Sequence, residues 1–387
     1  MTLKLSLSPK PLHAAAKRHG FLCFLGLDKA WAMDSSAPQG YKHGKQAGFS
    51  LLELLIVIGL LGLVAMSTTT LIINTGENER QAETERRWNE IRKAIIGDPN
   101  LSLNGSPYIS GYVADMGRLP SSVRELVDQT ATYDHDNNIA TAEIIEPYDH
   151  DNNPATPDIT INQPAWTTTA LSTVTAGMTG QLSSGWRGPY LYTAGSQFFR
   201  DGWANVNTAI ADNDAINYGW DVTHTPAVNP HCSTVPDCTV MTVTSLGDNN
   251  AAEGSGFNED FPAAGINIVN SAEWQLNGAI SFAVVFNSPP GANQGGLELR
   301  VYFVEGGAIT EEVSTTQFSL LTTNPYPHTE MLTISGPLPM GKIAVAVWCA
   351  SGTVYDGDCV AGNTKLPYYM SLLPNATLPI TIPWNTP

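Results

Sequence analysis

The chain has 387 residues, 19 basic and 36 acidic, for a formal net charge of −17. The first 48 residues hold seven of the basic residues (Lys4, Lys10, Lys17, Arg18, Lys29, Lys42 and Lys45) against Asp28 and Asp34, leaving 12 basic and 34 acidic residues, about −22, for the rest. So acidic a surface repels polyanions and excludes nucleic acid as a partner, since phosphate-backbone binding rests on lysine and arginine.

After the basic flank comes Gly48-Phe49-Ser50-Leu51-Leu52-Glu53 and an apolar run to Met66, interrupted only by Gly59 and Gly62. An ionised carboxylate inside a membrane-length apolar stretch costs several kcal/mol unless neutralised, so Glu53 calls for a partner that the local sequence does not supply. If the chain is cut after Gly48, the new amino group of Phe49 is a cation at the membrane surface, and a neighbouring copy can offer it to Glu53. A secretory signal peptide would place a small-residue cleavage site after its apolar core. Here Ser67-Thr68-Thr69-Thr70 leads into Leu71-Ile72-Ile73 and then helix-forming sequence.

The segment Gly48 to Glu53 resembles the type IV prepilin signal position for position. The resemblance implies that a prepilin peptidase cleaves the Gly48-Phe49 bond and methylates the Phe49 nitrogen, and that Glu53 sets subunit register on assembly. It also implies the partners: other copies of the chain or related pilins, the peptidase, an inner-membrane assembly platform, and the membrane itself before assembly. The precursor is then expected in the inner membrane and the product in a periplasmic or extracellular filament. Residues 1–48 form the leader, positive as a cytoplasm-retained flank should be; a start at Met33 would shorten it to 16 residues.

Residues 49–97 read as one long helix, with 49–73 as its transmembrane or filament-core part. Charged residues from Glu77 to Lys93 alternate with Ala82, Trp88, Ile91, Ala94, Ile95 and Ile96 at helical spacing, and Gly97-Asp98-Pro99 stops the helix. Such a helix spans ~72 Å at 1.5 Å per residue, enough for its first half to cross a bilayer while the second packs on a head. Gly59 and Gly62 weaken the first half, either to let it bend on assembly or for close helix packing.

Residues 98–261 are rich in Gly, Pro, Asn, Thr and aromatics and read as a β-containing head with long loops. Three stretches are similar to the major pseudopilin of type II secretion systems. The first is Gly111 to Pro120 with Ser121 to Val127. The second comprises Gly185-Trp186-Arg187-Gly188-Pro189-Tyr190-Leu191 and Asp201-Gly202-Trp203-Ala204-Asn205, where Ala204 replaces the usual glycine. The third, Ser245 to Phe261, is similar to that family's calcium loop. By this resemblance the Leu246 carbonyl, Asn249, Asn258 and Asp260 fall at ligand positions for Ca²⁺, although Asn at 249 and 258 stands where the family has Asp. Hard oxygen ligands on a glycine-rich loop are what Ca²⁺ requires; the alternative is a polar loop closed by hydrogen bonds.

Residues 131–163 carry an insertion with a 15-residue duplication, Tyr133 to Ile144 returning as Tyr148 to Ile159. Its Asp-x-Asp-x-Asn opening lacks the glycine and the bidentate glutamate of an EF-hand loop, which favours a solvated surface insertion over a metal site. Cys23 goes with the leader, leaving four cysteines. Cys232 and Cys238 share a proline-containing loop, and Cys349 and Cys359 bracket a Gly/Asp-rich turn, so two local disulfides in an oxidising compartment are the natural pairing. Zinc is the other use of such cysteines, but neither pair has knuckle spacing and no histidine follows at ligand spacing.

Residues 262–387 outrun the pseudopilin pattern. Alternating strands are predicted at Ala279 to Phe286, Leu297 to Val304, Met331 to Ile334 and Ile343 to Trp348, giving a small antiparallel sandwich. The class is therefore α+β: a long pilin helix packed on a small antiparallel sheet with long loops, then a C-terminal β-sandwich-like domain. No Gly-x-Ser-x-Gly elbow, His-Glu-x-x-His pair or phosphate loop is present, which argues against an enzyme. The reading is a structural subunit of a type IV pilus-like or type II secretion pseudopilus filament. The alternative is a minor or tip pilin whose added β domain binds a surface, a carbohydrate or an exported partner.

Overall fold

The computed structural model describes residues 50–98, 100–103, 106–133, 159–195, 198–206, 218–226, 232, 238–360, 362 and 365–384. By compactness the chain divides into Met1–Val64 and Ala65–Pro387, each taken by itself. Helix α1 is Leu51–Ile96. Its start is fixed by a reciprocal pair: Glu53 N–H donates to Ser50 Oγ at 3.2 Å, and Ser50 N–H donates to a Glu53 carboxylate oxygen at 3.3 Å. This is the Ser-x-x-Glu capping box, which satisfies two of the amides a helix start leaves open. The following leucines, isoleucines and valines up to residue 64 are exposed.

Among the described residues no helix is long and apolar enough to cross a membrane. The expected span ran over 49–73, but Phe49 and the side chains of 67–73 lie outside the description. The apolar part that is described, 51–66, extends only ~24 Å at 1.5 Å per residue, short of the ~30 Å hydrocarbon core.

At its other end α1 stops as the sequence predicts. Gly97 takes left-handed backbone, φ +79°, and its N–H donates to the Lys93 carbonyl at 2.8 Å. In the last turns Ile91, Ala94 and Ile95 are buried against Tyr112, Val113 and Met116 of the short helix α2 (Tyr112–Met116), and against Met241, Val243 and Trp274. Full burial of each isoleucine contributes roughly 1.5–3 kcal/mol, which makes this seam the base of the head.

The head differs from the single sheet expected. Its strands form separate antiparallel hairpins: Thr130–Tyr133 with Ile159–Asn162, Thr167–Ala170 with Gln181–Ser184, and Asp221–Thr225 with Val240–Thr244. Among the described residues each pair is its own two-stranded sheet, with no ladder shared between them. Of the duplicated insertion, residues 134–158 lie outside the described residues; the first of these hairpins flanks them.

The C-terminal part is a sandwich, and the α+β class holds. One sheet orders His328–Ser335, Ala279–Phe286 and Ile380–Trp384; the other joins Ala308–Val313, Gln294–Glu305, Gly341–Cys349 and Thr353–Val354, with Phe318–Leu320 and Tyr368–Leu372 attached. It is mixed and not purely antiparallel, because Ile380–Trp384 runs parallel to Ala279–Phe286. A parallel neighbour needs a crossover, and no hairpin signal in the sequence announces it.

The two hydrophobic cores interleave along the chain. Leu171, Met178 and Leu182 belong with the sandwich, whereas Ile268, Val269, Trp274 and Met340 belong with the head. Between them Gly117, at φ +65°, ends α2 where an added Cβ would sit 1.9 Å from the Val304 carbonyl oxygen. Only glycine permits that approach. Nearby, Gly307 N–H donates to the Met116 carbonyl at 2.7 Å, so the sandwich is seated directly on α2.

Candidate functional site

Gly48 and Phe49 lie outside the described residues. Glu53 is described, and Ser50 supplies hydrogen-bond partners for its carboxylate and its amide. They are neutral, so the negative charge itself remains uncompensated locally.

The loop 245–261 closes on itself. Ser245 and Phe261 exchange both backbone hydrogen bonds, at 2.7 and 2.9 Å, and Asp248 N–H donates to the Phe257 carbonyl at 2.9 Å. Inside it Asp260 Oδ2 accepts from Glu253 N–H at 3.0 Å. The other oxygen, Asp260 Oδ1, is buried with no hydrogen-bond partner, and so is Asn250 Oδ1. A buried acceptor left unpaired costs about 1–3 kcal/mol, so an electropositive group beside either oxygen would be favoured. Hard oxygens of this kind fit Ca²⁺. Asn249 Oδ1 instead accepts from Ala251 N–H at 3.1 Å, closing a local turn, and Asn258 is exposed in the turn Gly256–Asn258. Desolvation and the charge of Asp260 push the Asp221 carboxyl above its usual range, which adds a second acid beside the loop.

The Asp201 to Asn205 segment braces this loop. Asn205 Nδ2 donates to the Gly247 carbonyl and to Asp201 Oδ2, each at 2.7 Å, and Asn205 N–H donates to Asp201 Oδ1 at 2.9 Å. Ser245 Oγ donates to the same Asp201 carboxylate. Burial raises the Asp201 carboxyl despite these donors. The brace is anchored on α1, where Gly202 N–H donates to Thr84 Oγ1 at 2.8 Å and the Arg87 guanidinium donates to the Arg200 carbonyl. Arg80 stacks 5.7 Å from the Trp203 ring and lies 3.8 Å from Asp248.

The remaining landmarks form a largely buried polar cluster. Asp115 meets Tyr190 Oη at 3.0 Å and Arg187 Nε at 3.1 Å; burial nonetheless pushes its carboxyl up to about 6. Glu125 accepts from Tyr112 Oη at 2.7 Å and from Arg118 at 2.8 Å. These residues fasten the segments after α1 to one another. The cysteines pair as Cys232–Cys238 and Cys349–Cys359, and His224 lies against the first pair.

Residues 43–69 match the family model described as the prokaryotic N-terminal methylation motif. No curated protein and no solved structure matches the chain. The chain thus carries a prepilin-type methylation motif, and that motif points to a structural subunit and not to an enzyme.

Sequence reasoning missed three things. The Ser50-x-x-Glu53 box is a local pattern that gives Glu53 a helix-capping role beside its charge. Asn250, next to the aligned Asn249, presents the unpaired oxygen, a one-residue shift that alignment to a loop does not reveal. The bracing role of Asp201 and Asn205 had only their aromatic context as a signal.

Ala204 explains itself in the structure. It adopts φ +60°, a left-handed conformation that L side chains pay about 1–2 kcal/mol to enter. Ala204→Gly should therefore raise stability by about 0.5–1 kcal/mol, after subtracting the larger chain entropy glycine loses on folding. Equilibrium denaturation of the two proteins checks this; an unchanged or lower stability would show that the position carries no strain.

Proposed function

We propose that this chain is a structural subunit of a type IV pilus-like or type II secretion pseudopilus filament. In this reading a prepilin peptidase processes it at Gly48-Phe49, and it assembles through α1. The observation that carries the reading is the methylation motif over 43–69, running into a capped helix whose far end is the base of a folded head. The precursor sits in the inner membrane, with Leu71-Ile72-Ile73 extending the apolar segment beyond the uncharged Ser67 to Thr70, and passes to a periplasmic or extracellular filament with its own copies or related pilins. Mass spectrometry of the mature N-terminus tests it. A methylated Phe49 is expected, and a chain beginning upstream of Gly48 or near Thr70 would sink the proposal.

The C-terminal sandwich favours a second reading, because it has its own core and adds a whole module beyond what a shaft subunit needs. A minor or tip pilin would use it to bind a surface, a carbohydrate or an exported partner. Sheared filaments separate the two readings, since a shaft protein dominates such a preparation and a tip protein is scarce.

Under the same proposal the 245–261 loop holds Ca²⁺, through Asp260 and Asn250 with the Leu246 carbonyl, Asn249 and Asn258 as further candidates. The unpaired oxygens of Asp260 and Asn250 support it. The ion would replace the electropositive partner these oxygens lack and hold the loop against its Asp201–Asn205 brace.

Two outcomes are expected. Glu53→Gln preserves the capping geometry, since glutamine serves a capping box as well as glutamate, but removes the charge. Filament yield should collapse in Glu53→Gln and in Glu53→Ala alike, with membrane levels of the subunit unchanged. Normal filaments from Glu53→Gln, with failure only in Glu53→Ala, would reduce Glu53 to a helix cap.

For the loop, 1 mM Ca²⁺ should stabilise the folded chain by roughly 1–2 kcal/mol if its dissociation constant is near 0.1 mM, as extracellular calcium modules have. Mg²⁺ should do less, and Asp260→Ala should remove most of the effect. A thermal midpoint indifferent to calcium and chelator would leave the loop a hydrogen-bonded turn; a calcium response lost on Asp134→Ala with Asp149→Ala would move the site to the insertion.

A further inference from the structure

His224 stands on the strand Asp221–Thr225 beside the Cys232–Cys238 pair, and one of its ring nitrogens and both sulfurs fall within 4.8 Å of one another. The surroundings fix the state of the ring. Its Nε2 lies 2.9 Å from the Pro120 carbonyl oxygen. A carbonyl only accepts, so Nε2 carries the hydrogen and Nδ1 keeps its lone pair. A histidine that donates one N–H to a backbone carbonyl and presents its other nitrogen is the arrangement metal-ligating histidines use. Cys232 is held independently, its N–H donating to Ser121 Oγ at 3.1 Å, and both cysteines are buried. Among the described residues Cys349 and Cys359 belong to no such group.

We propose that His224, Cys232 and Cys238 form a redox-gated zinc site: the disulfide excludes the ion, and the reduced pair binds one Zn²⁺ through two thiolates and one imidazole nitrogen, with water in the fourth position. Reduction by a dithiol delivers two electrons and two protons to the S–S bond and leaves the reductant as its own disulfide. Zinc then displaces both thiol protons as two Zn–S bonds form. Breaking the S–S bond lets the sulfurs separate to the roughly 3.5–4 Å that a tetrahedral ion with Zn–S bonds of about 2.3 Å requires. The six-residue separation of the cysteines is too long for a zinc knuckle; the third ligand comes from the neighbouring strand, ahead of the pair in sequence. Either closure, covalent or metallic, joins Cys232 to Cys238 within the head core.

The test uses the full chain in detergent, reduced with a phosphine, freed of reductant without oxygen and titrated with Zn²⁺ against a chromophoric chelator. One Zn²⁺ per reduced chain is expected, and none at the same affinity for the oxidised chain. His224→Ala should weaken binding at least tenfold. Cys232→Ser with Cys238→Ser should abolish it, and Cys349→Ser with Cys359→Ser should leave it intact. Undiminished uptake in His224→Ala, or uptake that follows the Cys349 and Cys359 pair, would overturn the assignment. If the histidine variant unfolds on reduction, Co²⁺ decides on the unaltered chain: tetrahedral bands with thiolate charge transfer are expected, and an octahedral spectrum without them would overturn it.

Discussion

The head is organised by one close approach, that of Gly202 to the backbone of α1. A Cβ at this position would stand 1.9 Å from the Arg80 carbonyl oxygen, so the contact exists only because the residue is glycine. That contact lets Gly202 N–H reach Thr84 Oγ1, itself bonded to the Arg80 carbonyl at 3.0 Å. One turn further on, Arg87 holds the Arg200 carbonyl and the Trp88 indole donates to the Val243 carbonyl at 2.9 Å. Because Asp201 and Asn205 flank this clasp, whatever fixes the helix also fixes the brace of the 245–261 loop. Loop, brace and helix therefore behave as one polar assembly laid beside the apolar seam of Ile91 and Ile95.

Much of this was readable where the signal is local. Gly97-Asp98-Pro99 marks the end of α1 within a residue, because a left-handed glycine and a proline act on the backbone they occupy. The strand Ala279–Phe286 appears as read, since a short apolar run rich in β-branched and aromatic residues and bounded by turn residues favours a buried strand. The next strand is longer than read, Gln294–Glu305 instead of Leu297 to Val304. Gly296, at φ +68°, makes the bulge that carries pairing past the point where alternation fails.

What was not readable depends on distant partners. Ile380–Trp384 contains Pro383 and follows Pro379, which argues against a strand until Ala279–Phe286 supplies a parallel edge for it. His224 precedes the cysteines it meets, and only the pairing of Asp221–Thr225 with Val240–Thr244 explains why it lies next to them. The separate hairpins of the head have the same origin: nothing local in the sequence says whether three strand pairs share one sheet.

Glu53 shows how one residue serves two levels of structure. The box with Ser50 is worth about 1 kcal/mol to the helix start and fixes the carboxylate over the first turn. Moving the same carboxylate from water into an apolar core costs about 2.5–3.5 kcal/mol even by insertion scales, more than the cap returns. In the monomer the difference is avoided if the helix start stays at the wet surface of the bilayer. In a packed bundle of such helices that refuge is gone, and a neutral N–H cannot cancel a full charge. The cap therefore orients the acid, and under the proposed assembly the countercharge has to arrive with the neighbouring chain.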